Sequence, residues 1–139
     1  MSFSGPLEDR LELRELLDAY ADAVCQNNSS DWGACWSENS FWSMPDNDQF
    51  PDQKGRDNIV EFWVGAMSQF PGVVFVATPG HMIIDGDKAE MRSYTSEVFE
   101  IEGKVHRVRG YYEDECIRED GRWVFHKRVF KKAHHQIEQ

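Results

Sequence analysis

The chain has 139 residues and a formal net charge of −10 at pH 7, with 40% hydrophobic and 13% aromatic residues. This length suits a single domain with a substantial core, and five tryptophans supply large apolar side chains for it. The negative charge disfavours nucleic acid and anionic membrane surfaces, so we expect neither as a partner.

The first half of the chain is predicted to be mainly helical. Apolar residues recur at helical spacing from Leu7 to Val24, which indicates one amphipathic helix that ends at the polar run NNSS. The remaining elements of this half are a short helix at 31–36, a strand at 40–44, an acidic loop at 45–54 and a third helix at 55–70. Whether the loop covers a pocket mouth is left open by the sequence.

The second half is predicted to consist of long strands joined by the turns DGD, EGK and EDG. Helices followed by an antiparallel meander indicate an α+β fold, in which a curved antiparallel sheet wraps round three helices of the N-terminal half. We expect one domain over 1–139, with a core at about 7–130 and a C-terminal tail at 131–139.

The last hairpin can be placed in register from its turn. The EDG sequence suits a three-residue loop with Gly121 in the left-handed conformation, which puts Arg118 opposite Arg122. Three further pairs follow on one face: Tyr112 with Arg128, Asp114 with His126, and Cys116 with Val124. Asp114 and His126 then form either an acid–base pair on the inner face or an ordinary charged pair at the exposed end of the hairpin.

The cysteines and the motif content favour a cofactor-free protein in a reducing compartment. Cys25, Cys35 and Cys116 show neither CxxC nor metal-ligand spacing, which predicts free thiols. There is no phosphate-binding glycine loop and no Ser–His–Asp pattern, so we expect no cofactor and no metal. The first residues lack a signal-peptide pattern and no apolar run reaches membrane length, which predicts a cytoplasmic location.

Five stretches in order carry a resemblance to a known family: ELRELLDAYADAV, DW, FWSMP, GRDNIVEFW and VRGYYEDECIREDGRWVFHKRVF. With them, the chain resembles the SnoaL-like group of the nuclear-transport-factor-two-like superfamily. The resemblance implies a cystatin-like cone around an apolar pocket, a small apolar ligand, and a homodimer or homotrimer formed through the outer sheet face. Because this fold hosts many activities, the resemblance implies a pocket and not a particular reaction.

The dehydratase and dehydrochlorinase branch of the group uses an Asp–His pair, in which His takes a proton and Asp orients it. By the resemblance, the Asp position falls on Cys25 and the His position on Val74, so both members are replaced. Trp42 falls where the branch has a pocket-wall tryptophan, and Arg128 where it has an arginine that assists the departing anion. Cys25 is expected to be a small apolar filler of the pocket wall and not a nucleophile.

Glu97 is a candidate base. It shares strand parity with Thr95, which the resemblance turns toward the cavity. Desolvation by Trp42 and Phe62 would raise the pKa of the Glu97 carboxyl and suit it to proton abstraction next to a carbonyl. The alternative is an ion pair with Arg128, which would keep Glu97 ionised and structural.

The functional prediction is a cofactor-independent lyase, such as a dehydratase, or an isomerase acting on a small apolar or aromatic compound. The residues predicted to do the chemistry are Glu97, Asp114 and His126 as bases, with Tyr20, Tyr112 and Arg128 stabilising an anion. The residues predicted to line the ligand site are Cys25, Trp42, Met44, Phe62, Val74, Val76, Thr95 and Tyr112. The alternatives are a non-catalytic ligand-binding or accessory subunit, which the replaced Asp–His pair favours, and a purely oligomerising domain.

Overall fold

The computed structural model describes residues 2–138, which form three helices and one curved, unclosed sheet. In chain order the elements are β1 (Phe3–Ser4), α1 (Leu7–Gln26), α2 (Ser29–Ala34), β2 (Trp36–Ser43), β3 (Gln53–Lys54), α3 (Arg56–Met67), β4 (Val74–Asp85), β5 (Lys88–Ile101), β6 (Lys104–Glu119) and β7 (Arg122–Glu138). The strand order in the sheet is β1-β4-β5-β6-β7-β2-β3. Strands β4 to β7 form an antiparallel meander, whereas β1 joins β4 and β2 joins β7 in parallel. The predicted α+β class is therefore confirmed.

Two asparagines separate the first two helices. Asn27 adopts the left-handed conformation (φ 52°) and ends α1. Asn28 begins α2, because its side-chain oxygen accepts a hydrogen bond from the Asp31 N–H at 3.0 Å. This tight junction lets Trp32 of α2 pack against Tyr20 of α1, with ring centroids 5.5 Å apart. Neither these two helices nor α3 has the length and hydropathy that a membrane span requires.

The core lies between the inner face of the sheet and the helices, and tryptophans dominate it. Trp32 of α2 stacks on Trp63 of α3, with centroids 4.4 Å apart and planes 9° from parallel. Trp42 of β2 packs edge-on against Trp32 at 5.5 Å. Trp36 is completely buried beside them. This part of the interior is therefore filled by aromatic side chains, whose burial is a major source of folding free energy.

The turn of the β6–β7 hairpin differs from the prediction. It has two residues, Asp120 (φ 52°) and Gly121 (φ 80°), both in the left-handed region, so Glu119 pairs with Arg122. The predicted three-residue loop was wrong because Asp120, like Gly121, adopts the left-handed conformation, which aspartate enters more readily than most residues although less readily than glycine. The pairs Arg118–Arg122 and Cys116–Val124 are replaced by Arg118–Trp123 and Cys116–Phe125.

A bulge in β7 changes the register a second time. It lies at His126, which has no direct partner on β6. As a result Asp114 lies opposite Arg128, and Tyr112 lies opposite Phe130. Two predicted pairings were therefore wrong, namely Asp114 with His126 and Tyr112 with Arg128. The turn sequence carries no signal for a bulge further along the strand.

Strand β7 is longer than predicted. It runs to Glu138 and pairs with the start of β6 along its last residues. The segment 131–139, predicted as a tail, is therefore strand as far as Glu138, and its last residue lies outside the described residues. The extra length brings His135 opposite Val108, a buried residue of the inner face.

Candidate functional site

The candidate site is built on the inner face of the sheet. Strands β4, β5 and β6 pair in register, so Phe75, Glu97 and Val108 lie side by side in one row. Because alternate residues of a strand share a face, Thr95 and Ser93 follow Glu97 along β5 on the same side. Both are buried. The inner face therefore carries a line of polar side chains between apolar neighbours.

Arg128 of β7 is the buried centre of this face. Its side chain is 0% exposed and donates two hydrogen bonds to the Asp114 carboxylate, from Nε to Oδ1 at 2.7 Å and from Nη2 to Oδ2 at 3.2 Å. Nη2 also donates to the Ser93 hydroxyl at 3.0 Å. Nη1 is buried and finds no hydrogen-bond partner among residues 2–138. The guanidinium therefore has unused donor capacity in the interior.

Three aromatic rings surround the same guanidinium. Its Cζ lies 3.7 Å from the ring centroid of Tyr112, 4.0 Å from that of Phe125 and 4.5 Å from that of Tyr20. Burial alone would lower the pKa of Arg128, but the Asp114 carboxylate holds this pKa above its ordinary value. Burial raises the pKa of Asp114, against the lowering effect of Arg128. The positive charge of Arg128 is therefore stabilised by Asp114 and the aromatic rings in place of water.

Tyr20 and Tyr112 keep their phenolic protons. Burial raises the pKa of both groups above the ordinary value. The Tyr112 hydroxyl oxygen accepts a hydrogen bond from Trp42 Nε1 at 3.1 Å, and the Tyr112 hydroxyl also interacts with that of Tyr20. The structure thus brings the predicted residues Tyr20, Trp42, Tyr112 and Arg128 into one cluster.

Glu97 differs from Asp114 because it has no countercharge. Its side chain is half-buried, and no cation or hydrogen-bond donor of the described chain lowers the pKa of its carboxyl. Burial raises that pKa to about 7. The negative charge of Glu97 in turn contributes to the raised pKa of Tyr112, so the two groups interact. The predicted alternative, an ion pair of Glu97 with Arg128, does not form because Arg128 is paired with Asp114.

Cys25, which lies near the end of α1, is hydrogen-bonded to the backbone of β4. The Phe75 N–H donates to Sγ at 3.2 Å, and the thiol donates to the Phe75 carbonyl at 3.3 Å. Phe75 is thus the β4 residue next to Cys25, and its side chain is only 7% exposed. Val74 and Val76 point to the outer face, with 55% and 56% of their surface exposed. Their predicted place in the site wall is therefore corrected.

The physical reason for this correction is an irregularity in β4. The pairing of β4 with β5 shifts between Pro79 and His81, and Gly80 is the extra residue. The alternation of inward-facing and outward-facing side chains is therefore displaced by one residue on the two sides of Gly80. Counting back from the DGDK turn without this shift places Val74 on the wrong face.

Phe62 and Met44 lie near Trp42. The Phe62 ring contacts the Trp42 ring at 6.1 Å and the Phe50 ring at 5.5 Å between centroids. Met44 is half-buried and packs against the core. A cleft of about 540 Å³ lies between α3 and the loop that joins β2 to β3. Its lining includes Phe62, Phe50, Phe70, Gln49, Gln53 and Gln69. The loop predicted at 45–54 thus forms one wall of an open cleft.

His126 lies outside the cluster around Arg128. Its Nδ1 is 2.8 Å from the Ser37 hydroxyl of β2. The predicted acid–base pair of Asp114 with His126 therefore does not form. Within residues 2–138, no three His, Cys, Asp or Glu side chains are grouped as metal ligands would be.

A histidine pair on the inner face was missed by the sequence analysis. His106 Nδ1 lies 2.9 Å from His135 Nε2, and the His106 ring stacks on Phe99 with centroids 5.1 Å apart. Strand alternation offered a signal, because His106 has the same parity as Val108 on β6. The partner could not be found without the extension of β7, which the sequence did not indicate.

With this geometry established, the comparisons with known proteins identify the family. The model of the SnoaL-like domain matches residues 5–129. The chain therefore belongs to the SnoaL-like family. No curated protein matches it by sequence.

Solved structures share its fold at low sequence identity. A protein from Kribbella flavida has a TM-score of 0.85 and 17% identity, over 93% of each chain. A candidate scytalone dehydratase from Novosphingobium aromaticivorans has a TM-score of 0.83 and 18% identity, over 94% of this chain and 87% of that chain. A hexachlorocyclohexane dehydrochlorinase, LinA-type3, from Novosphingobium barchaimii has a TM-score of 0.80 and 15% identity, over 94% and 90%. The cone fold implied by the resemblance is confirmed.

The buried ion pair generates a stability prediction. Asp114→Ala leaves Arg128 as an uncompensated buried cation, so we expect the free energy of unfolding to fall by roughly 3–5 kcal/mol. Glu113→Ala is the matched control: it breaks the Arg92–Glu113 pair, which has the same 2.7 Å distance but is exposed, and should cost about 0–1 kcal/mol. Urea denaturation measures both losses. Equal losses would contradict the central role given to Arg128.

Proposed function

We propose that the protein is a cofactor-independent lyase that eliminates water or a similar small group from a small, largely apolar compound. The observation that carries this proposal is the contrast between two carboxylates on one face. Asp114 is neutralised by Arg128, whereas Glu97 has no countercharge among residues 2–138 and a pKa of about 7. A base with a pKa near the working pH is well suited to take a proton from carbon.

The groups around Arg128 supply the other half of the proposed chemistry. Proton removal next to a carbonyl places negative charge on the carbonyl oxygen, and this charge must be stabilised. Tyr20 and Tyr112 are protonated phenols, and Arg128 Nη1 is a buried donor without a partner among the described residues. Such donors act more strongly in a dry interior than in water. The apolar rings around them favour a small apolar or aromatic substrate.

The family supports an elimination but not the usual base. The names dehydratase and dehydrochlorinase, which two proteins of the same fold carry, both describe eliminations. By the resemblance, the Asp position of that branch holds Cys25, and the inward β4 residue beside it is Phe75, because Val74 points to the outer face. Neither a thiol hydrogen-bonded to the β4 backbone nor a phenyl ring can act as the base. The proposal therefore assigns proton abstraction to Glu97.

The second candidate is a non-catalytic ligand-binding or accessory subunit. It is favoured by the two hydrogen bonds between the Cys25 thiol and Phe75, which close the position where the family branch keeps a carboxylate. On this proposal the aromatic cluster recognises an apolar molecule, and Glu97 only orients a polar edge of it.

Self-association through the outer sheet face is a further part of the proposal. Val74, Val76 and Tyr94 expose about half of their surface on neighbouring strands β4 and β5. Exposed apolar side chains grouped on one flat face are typical of protein interfaces. We propose a homodimer or homotrimer built on this face.

The lyase proposal predicts the behaviour of Glu97→Gln. We expect this variant to keep its fold and lose turnover, because an amide cannot accept the proton. In the wild type, kcat/KM should rise as pH increases through about 7, since the ionised carboxylate is the active form. Deuterium uptake from heavy water at the acidic carbon of a ketone panel, followed by NMR, measures the step. Glu100→Gln, an exposed position on the same strand, is the control and should keep full activity.

The same variant tests the titration without any substrate. The folded-state pKa of Glu97 lies above the unfolded value, so its contribution to stability is present at low pH and lost as pH rises toward and through about 7. Relative to Glu97→Gln, the wild type should therefore lose on the order of 1–3 kcal/mol between about pH 5 and pH 8. Parallel stability curves for the two proteins would show that Glu97 is an ordinary solvated carboxylate.

The ligand-binding alternative predicts stabilisation without chemistry. A compound that binds only the folded state raises the unfolding free energy by about 2.7 kcal/mol at one hundred times its Kd. Thermal melts with a panel of aromatic ketones and phenols, followed by mass spectrometry of the recovered compound, separate the two candidates. A shifted melt with unchanged compound supports the binding subunit, altered compound supports the lyase, and no shift from any compound contradicts the binding subunit.

The assembly proposal predicts the effect of a charge on the outer face. Val76→Glu should convert the assembly to monomers, because desolvating a carboxylate at an apolar interface is costly. Val64→Glu, on the exposed side of α3, is the control and should leave the assembly intact. Size-exclusion chromatography with light scattering reports the mass. A wild type that is monomeric at micromolar concentration would refute the proposal.

A further inference from the structure

The end of β7 is held to the fold by fewer contacts than the rest of the strand. Strand β2 pairs with β7 only as far as Val129, so beyond that residue β7 pairs with β6 alone among the described strands. A register shift at the Arg109–Gly110 step of β6 sets residues 134–138 apart, and we call them the terminal segment. All five of its side chains are exposed. A strand segment with one neighbour and little apolar burial has low local stability.

Two side-chain hydrogen bonds fasten the terminal segment to β6. On the inner face, His106 Nδ1 lies 2.9 Å from His135 Nε2. On the outer face, Arg107 Nε donates to Glu138 Oε1 at 3.3 Å, but both side chains are largely exposed, and such ion pairs contribute little to stability. The histidine pair is therefore the main side-chain anchor of the segment.

The bond between two imidazoles exists only in some protonation states. One nitrogen donates and the other accepts, so the accepting nitrogen must be without a proton. When both rings are protonated, all four of their nitrogens are donors and neither ring can accept. The two positive charges then repel each other at the same short distance. Acid therefore converts an attractive contact into a repulsive one.

The positively charged groups around the pair oppose its protonation. Burial lowers the pKa of His135, and the positive charges of Lys132 and His106 lower it further. Phe99, which stacks on the His106 ring with planes 12° from parallel, brings no charge. Both imidazoles are therefore placed where a second proton is unfavourable as long as the terminal segment is docked.

The acidic groups of the neighbouring strands do not offset this effect. Neither imidazole is paired with a carboxylate among residues 2–138. On β5, Glu97 lies in the row of His135, but Val108 of β6 stands between them. On β7, Glu138 lies on the outer face and is paired with Arg107.

We propose that the His106–His135 pair is an acid-sensitive contact that holds the terminal segment of β7 on the sheet and releases it when both rings are protonated. Release removes the strand that lies beside Val108, a buried residue of the inner face. The inner face is then open from the side of β7, next to the row that contains Glu97. Acid thus regulates access to this face, and the release does not depend on the proposed lyase function.

The direction of the pH dependence follows from proton linkage. The pKa of His135 lies below its ordinary value of 6.5 in the docked segment and returns to that value on release, so release takes up a proton. Docking is therefore most stable above about pH 6.5 and weakens as pH falls below this value. For each proton taken up, the opening equilibrium rises by up to about tenfold per pH unit.

Amide hydrogen exchange of the full chain measures the release, with each rate corrected for the intrinsic pH dependence of exchange. From about pH 7.5 to about pH 5.5, protection of residues 134–138 and of their β6 partners 105–109 should fall by roughly 5–10-fold. Residues 122–126, at the other end of β7, are the internal reference and should not change.

Three variants separate the histidine pair from a general effect of acid. His106→Asn removes one of the two cations, so the fall in protection should shrink to less than about threefold. His106→Glu places a carboxylate beside His135, which favours its protonated form, so protection should rise as pH falls. The control is His134→Asn, which changes a histidine of the same segment that lies opposite Arg109, and it should behave like the wild type.

Several results would overturn the proposal. They are a wild type whose terminal segment is unprotected at every pH or equally protected at both, and a His106→Asn variant that keeps the full fall. An equal loss of pH dependence in His134→Asn would show that the pair is not its source. If His106→Asn releases the segment at all pH values, His106→Glu decides, since a fall in protection like that of the wild type refutes the proposal and a rise supports it. The lyase proposal is untouched by each of these outcomes.

Discussion

A guanidinium can be buried only where its surroundings replace the hydration it gives up, and this requirement shapes the β6–β7 region around Arg128. Asp114 supplies the countercharge, Ser93 a hydrogen-bond acceptor, and the rings of Tyr20 and Tyr112 a polarisable enclosure. These groups come from α1, β5 and β6, whereas Arg128 itself lies on β7. Sheet register is therefore constrained as well, because a slip of one residue would turn Arg128 or Asp114 to the outer face.

The bulge at His126 allows β7 to satisfy two different register requirements. The Asp120–Gly121 turn sets one register at the end of the hairpin, and the buried ion pair needs another further along. One extra residue in β7 satisfies both at the cost of an unpaired position. His126 occupies that position and bonds to Ser37 of β2 instead. A residue that sequence reasoning placed in a catalytic pair is thus explained by strand geometry.

Sequence reasoning succeeded where the controlling interactions are local. The helices and the α+β order follow from periodicity, which depends on near neighbours, whereas the inward direction of Glu97 was implied by the family resemblance through its shared parity with Thr95. It failed at Val74, because an extra residue at Gly80 reverses the alternation, and at Asp114, because the bulge is dictated by a buried pair formed across two strands. It also missed His106 and its partner. Contacts of this kind depend on tertiary packing, which no local pattern encodes.

Depth along the inner face orders three groups of ionisable side chains and explains why the pKa of Glu97 lies near neutrality. Arg128 and Asp114 are fully buried and locked by each other. His135 is exposed, so solvent can exchange its proton freely. Glu97 lies between them, desolvated enough for a pKa of about 7, and no cation in the described part of the chain reverses the shift. At neutral pH a carboxylate in this intermediate position is partly ionised, so it can accept a proton from a substrate. Deeper burial beside a countercharge would keep the carboxylate ionised and paired, and full exposure would leave its pKa at the ordinary value.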